Sequence, residues 1–174
     1  MAWVIDPVHS QATFSVRHMM ISTVKGLFKV ISGSLNLDEE HPENSLVEAQ
    51  VDAASIDTRD ANRDAHLRSP DFFDAERHPS LTFKSTKVEP KGDSKYKVFG
   101  DLTMHGVTGP VVFDAEYFGW RKDPWGNQRA GLTATTKVNR KDWGLNWNQA
   151  LEAGGLAVSD EVKIEIDLSV VNQG

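Results

Sequence analysis

No cysteine occurs anywhere in the chain, which removes thiolate metal sites, cysteine nucleophiles and disulfides together. No window approaches the ~18 consecutive apolar residues that a membrane-spanning helix needs. Blocks of like charge and low-complexity tracts are also missing. With a formal net charge of −6, a nucleic acid would have to be held by a local basic patch, and the sequence offers none. Nucleic acid is therefore not an expected partner. The opening MAWVIDPVHSQATFSV reaches Asp6 and Pro7 at once, without a basic n-region followed by an apolar run. A signal peptide is not expected on that ground, and the protein is expected to stay in the cytoplasm.

Catalytic signatures are as scarce. There is no GxSxG elbow, and Ser69, standing before Pro70, reads as a helix stop. The six histidines, His9, His18, His41, His66, His78 and His105, contain no HxH or HExxH pair, so no metal site and no cofactor is expected. The glycines of HGVTGP, from His105 to Pro110, are not followed by a GxxxxGK[ST] pattern and read as a hairpin turn.

What is present is alternation. In ATFSVRH the residues Ala12, Phe14, Val16 and His18 share one face, while Thr13, Ser15 and Arg17 share the other. The same period recurs at Val47 to Ala53, Leu81 to Ser85, Tyr96 to Leu102 and Val111 to Tyr117. It is clearest in VKIEIDLSVV, where Val162, Ile164, Ile166, Leu168 and Val170 point one way. In VKGLFKVISGSLNLD the apolar phase slips near Val30, which predicts a bulge or bend, with Gly33 allowing a close backbone approach. Turn chemistry at GDSK, HGVTGP and KDPWGN makes the connections short and the pairing antiparallel. About eight strands with one apolar face favour a closed barrel over a two-sheet sandwich, because closure removes the edges. At 174 residues the chain suits one domain, 1–174.

Only Thr58 to Asp74 departs from period two. Ala61, Ala65 and Leu67, with Arg and Asp between them, predict a short helix that Ser69-Pro70 ends. Asp64 and His66 lie two apart on that helix and do not face each other, so they make no dyad. Asp60 or Asp64 is expected to pair with Arg68 at the surface, and Arg140 with Asp142 at a strand end. Phe72 and Phe73 follow the helix, and in an extended segment they point to opposite sides, so at most one of them is expected to face the ligand.

The strings RDAHLRSPDFFDAERHPSLTFKST (Arg63 to Thr86), GDLTMHGVTGPVVF (Gly100 to Phe113) and NRKDWGL (Asn139 to Leu145), in that order, closely resemble the YceI family of lipocalin-like proteins. HSQATFSVRHMMISTVKGLFKVISG and DEVKIEIDL extend the resemblance over nearly the whole chain. It implies an all-β fold, an extended eight-stranded antiparallel barrel with a short helical insertion. It further implies a homodimer, an internal pore holding a polyisoprenoid or related long-chain lipid, and no catalysis. Trp143 stands where members usually carry phenylalanine, and many members are exported. On this reading the ligand is expected to meet Phe14, His18, Met20, Phe28, Phe72, Phe73, Phe83, Leu102, Phe113, Leu132, Arg140 and Trp143. His18 would donate a hydrogen bond to a lipid head group, and Arg140 would anchor near the barrel mouth. Two alternatives stand beside it: a small-molecule enzyme using His18, His66 or Arg140, and a stress-response scaffold whose barrel is filled by side chains.

Overall fold

The computed structural model describes residues 2–149 and 157–173. Its strands are β1 (Ala2–Ile5), β2 (Gln11–His18), β3 (Ser22–Phe28), β4 (Ile31–Asn36), β5 (Leu46–Asp52) and β6 (Ile56–Asp57). After one helix, α1 (Ala61–Arg68), come β7 (Ser80–Gly92), β8 (Lys95–Met104), β9 (Val107–Lys122), β10 (Gln128–Asn139) and β11 (Glu161–Asn172). Every pairing between them is antiparallel.

The ring closes through β11, which pairs with β2 along residues 163–167 and with β1 along 170–172. β1 and β2 thus serve as two halves of one interrupted strand, and so do β3 and β4. The result is a closed eight-stranded barrel, as expected, and not a two-sheet sandwich. The phase slip falls where the sequence places it. Between β3 and β4 the Val30 amide donates to Ser55 Oγ at 3.1 Å and its carbonyl accepts from the Asp52 amide at 3.1 Å. Val30 points outward there, and the inward series resumes at Ile31. At Gly33 a Cβ would stand 2.2 Å from the Glu48 carbonyl oxygen, so β5 can approach only a glycine.

Three hairpins turn through two residues with positive φ: Met19-Met20, Asp93-Ser94 and His105-Gly106. HGVTGP is a turn only at its first two residues, since Val107 to Pro110 already pair with β8.

The helix starts where predicted but its charges do other work. Asp60 caps it, accepting from the amides of Asn62 (3.0 Å) and Arg63 (3.1 Å). Asp64 is buried and accepts from the amide (2.8 Å) and hydroxyl (2.5 Å) of Thr58. Arg63 donates to the Thr58 hydroxyl and carbonyl at 2.8 and 2.6 Å. Neither acid therefore forms the expected surface pair with Arg68: the first turn of the helix consumes both, one on orphan amides and one on Thr58, which follows β6.

One end of the barrel is filled by Trp3, 1% exposed, with Ile5, Leu35 and Val170 packed around it. Outside that plug, Arg129 donates to Asp6 Oδ2 and to Asp123 Oδ2, both at 2.7 Å, tying the entry to β2 to the β9–β10 loop. His9, and then Arg129, hold the Asp6 carboxyl down at about 2. Arg129, with the amides of Asn127 and Trp125, holds Asp123 down at about 2 as well.

Two outcomes follow from this packing. A Cβ on Gly100 would sit 2.4 Å from the Lys84 carbonyl oxygen and 2.4 Å from the Phe83 ring. Gly100→Ala should therefore cost about 1–3 kcal/mol in urea denaturation, as overpacking does. Both carboxyls of the Arg129 clamp have depressed values, so their contribution is complete above the ordinary aspartate value of 3.8 and is lost as the pH falls toward about 2. Arg129→Gln should accordingly move the midpoint of acid unfolding, followed by circular dichroism, to higher pH. An unmoved midpoint would show the clamp to be inert.

Candidate ligand-binding cavity

Above the Trp3 plug the barrel encloses a cavity of about 590 Å³, within the range of small-molecule sites. The inward series of the strands builds its wall. Ala12, Phe14 and Val16 come from β2, Leu81 and Phe83 from β7, Leu102 and Met104 from β8, and Val162, Ile164 and Ile166 from β11. Rings pair along that wall rather than across an empty centre. Phe14 and Phe28 stand 5.7 Å apart, Phe28 and Phe73 meet edge to face at 5.8 Å, and Phe83 and Phe113 at 5.1 Å. Phe14 lies over its register partner Gly26, where a Cβ would approach the ring to 2.5 Å.

The other end is built by the helical insertion and by the connection from β10 to β11. Among the described residues, five ionisable side chains line the cavity, namely Arg17, His18, Arg63, His66 and Arg140. All five are basic and all five lie at this end. The His18 ring makes no hydrogen bond among the described residues, whereas His66 Nε2 lies 2.9 Å from Asp71 Oδ2 and its ring packs edge-on against Trp147 at 4.6 Å. Among the described residues no group of three His, Asp or Glu side chains is placed to hold a metal ion. No described helix is long and apolar enough to cross a membrane.

Arg140 is 3% exposed and spends its donors on the main chain. It reaches the carbonyls of Leu145 (2.5 Å), Trp147 (2.9 Å), Ser159 (2.9 Å) and Val158 (3.4 Å). Its acidic neighbour is Asp160 at 4.0 Å and not the expected Asp142. The reason is local: residues 140–143 form a single 3₁₀ turn closed by Gly144 at φ 77°, which aims Arg140 inward beneath the segment it holds. Burial pulls the guanidinium below its ordinary value, with the Asp160 carboxylate opposing.

Ten of the twelve residues singled out from the sequence line this cavity: Phe14, His18, Phe28, Phe72, Phe73, Phe83, Leu102, Phe113, Leu132 and Arg140. Met20 and Trp143 do not. Met20 sits on the β2–β3 turn, 59% exposed. Trp143 is buried behind the wall, against Gly109, with its indole N–H donating to the Leu102 carbonyl at 2.9 Å. Phe72 and Phe73 both face inward, contrary to the extended-segment expectation. The chain turns here: the Phe72 amide donates to the Ser69 carbonyl and the Phe73 amide to the Leu67 carbonyl, each at 3.0 Å. Alternation already marked Val16, Val162, Ile164 and Ile166 as inward, and only their role as lining went unread. Leu145, Trp147 and Val158 lie outside any strand, where no periodicity could mark them.

The sequence profile of the YceI-like domain matches residues 3–170 of this chain. A UPF0312 protein of Vibrio parahaemolyticus is 44% identical over 145 residues, 82% of this chain and 77% of that protein. Another, of Photorhabdus laumondii, is 44% identical over 135 residues, 78% and 70% of the two chains. Among solved structures, the YceI protein of Campylobacter jejuni superposes with a TM-score of 0.78 at 30% identity, covering 91% of this chain and 90% of that one. A polyisoprenoid binding domain from Saccharophagus degradans superposes at 0.70 with 16% identity, covering 97% of each chain, a likeness of fold alone.

Removing the Arg140 head group while keeping its stem tests what holds this end together. Arg140→Met should destabilise the protein by at least about 2 kcal/mol, since it leaves the carbonyls of Leu145, Trp147 and Ser159 without the donor that holds them. Faster amide exchange at 145–149 and 157–159 should accompany that loss.

Proposed function

We propose that this chain, which belongs to the YceI-like domain family, binds a polyisoprenoid or a related long-chain lipid inside the barrel and stores or carries it without changing it. The observation that carries this reading is the polarity of the cavity. Its base is sealed by Trp3 and its wall is apolar, while every ionisable lining side chain among the described residues is basic and gathered at the opposite end. An amphiphile fits such a vessel in one orientation, with its tail toward Trp3 and its head toward Arg17, His18 and Arg63.

Each methylene removed from water contributes roughly 0.8 kcal/mol. A tail of several isoprene units therefore supplies ample driving force even after the cost of ordering it. No reactive group is required. The polar residues at the mouth also suit holding better than chemistry: Arg140 is saturated by carbonyls, His66 pairs with Asp71, and among the described residues no carboxylate lines the cavity beside His18. The likeness to a domain that binds polyisoprenoid supports the choice of ligand class.

Native mass spectrometry of the purified protein, followed by lipid extraction, should find a long-chain apolar molecule at about one per barrel; a barrel without extractable lipid would sink the proposal. Ala134 lines the cavity among larger residues. Ala134→Phe should fill the lumen and weaken uptake of a fluorescent isoprenoid alcohol by at least about tenfold, the worth of roughly two buried methylenes.

A further inference from the structure

The turn that joins β2 to β3 sits at the rim of the cavity. The Met19 amide donates to the Ala157 carbonyl at 2.8 Å, and His18 bridges to Val158. Arg17, His18, Ala157 and Val158 all line the cavity. At the tip, Met19, Met20 and Ile21 are 43%, 59% and 78% exposed. Three adjacent apolar side chains thus face solvent beside the entrance to an apolar vessel.

Their backbone makes the exposure more telling. Met19 and Met20 have φ of 52° and 63°, and the Ile21 amide closes the turn on the His18 carbonyl at 3.2 Å. This is the turn type that favours Asn-Gly, because both central residues must be left-handed. The two other such turns of this barrel use Asp93-Ser94 and His105-Gly106, small or polar pairs that suit the conformation better. Only this one places two unbranched but bulky apolar residues where they are disfavoured, and a disfavoured conformation held in place marks a site of use.

Charge gives the occupant. The protein carries 25 acidic and 19 basic residues, yet from Pro7 to Leu37 there is not one Asp or Glu, while Arg17, Lys25 and Lys29 fall within that stretch. β2 and β3 are therefore a cationic hairpin on an anionic protein. Just behind the apolar tip, Arg17 pairs across the hairpin with Thr23, and Ser15 with Lys25. An apolar tip backed by cations and hydroxyls matches a surface that is apolar within and anionic at its head groups.

We infer that the β2–β3 tip docks the barrel on an anionic lipid bilayer, with Met19, Met20 and Ile21 entering the head-group region and Arg17 and Lys25 facing lipid phosphates. Docked this way, the mouth meets the membrane and a tail can pass between bilayer and barrel without crossing water. The inference rests on the proposed lipid cargo for its purpose but not for its test.

The full chain should sediment with phosphatidylcholine–phosphatidylglycerol vesicles and much less with phosphatidylcholine alone. Met19→Asn/Met20→Gly/Ile21→Ser gives the turn its preferred residues, so the melting temperature should hold or rise while vesicle association falls by at least about tenfold. Uptake of a fluorescent isoprenoid alcohol supplied from detergent should be unchanged, since none of the three residues lines the cavity. Lys25→Gln should weaken association by about fivefold at low salt. Vesicle association that the triple substitution leaves intact, or that does not depend on anionic lipid, overturns the docking surface. A dimer that the triple substitution dissociates, with no vesicle association in the unaltered protein, assigns the tip to a second copy and overturns it too. Docking without isoprenoid uptake would sink the carrier reading while the docking surface stands, and uptake without docking would do the reverse.

Discussion

β11 runs the whole length of the barrel and takes two successive partners on one edge, β2 near the mouth and β1 near the base. That sharing is what lets eight strands close. Had β2 and β1 been a single straight strand, the ring would have needed one register from end to end. The break at residues 6–10, matched by the break at Lys29-Val30 on the neighbouring strand, lets the base draw tight around Trp3 while the upper barrel stays wide. Closure also removes every long sheet edge, so the cavity is not bought at the expense of strands open to aggregation.

A ring of eight strands is narrow enough for side chains to fill it, and the lumen persists because bulky and absent side chains are matched across strands. Phe14 folds over Gly26, and Phe83 over Gly100. In both places the aromatic ring occupies space that a Cβ on the adjoining strand would claim. The rings therefore lie along the wall and shield the glycine backbone instead of projecting across the centre. Alanine at either glycine would push a ring inward, so these two residues set the width of the vessel as surely as the large ones set its polarity.

Period-two patterning was legible because it is local: one inward residue in two, read from a few neighbours, placed β2, β5, β7, β8, β9 and β11 and the break at Val30. The helix was legible for the same reason, with Ser69-Pro70 as its stop. What sequence spacing did not give were contacts set by distant chain. Nothing within a few residues of Arg140 shows that its donors reach carbonyls at 145–159, and nothing near Trp143 shows that Gly109 leaves it a slot behind the wall. Asp64 misled by the same rule, since helical spacing offers it Arg68 while the fold delivers Thr58. Phe72 and Phe73 were misread because a run of turns, unlike a strand, has no fixed alternation.

The two ends of the barrel differ in how their polar groups are spent, and that difference gives the vessel a direction. At the base, Arg129 is matched by two carboxylates, and the Tyr117 hydroxyl donates to Glu39 at 2.7 Å, with burial and that contact driving its titration far above the ordinary tyrosine range. Opening there would separate paired charges and expose Trp3 together. At the mouth, Arg17 and Arg63 meet main-chain carbonyls and hydroxyls, the His18 ring meets nothing among the described residues, and only His66 and Arg140 have an acid nearby, Asp71 at 2.9 Å and Asp160 at 4.0 Å. The segments that Arg63 and Arg140 hold are turns and short helical pieces rather than ladder. Such segments open locally at less cost than strands paired on both sides. The mouth is therefore the end that opens at less cost, and there Arg17, His18 and Arg63 have no acidic partner among the described residues.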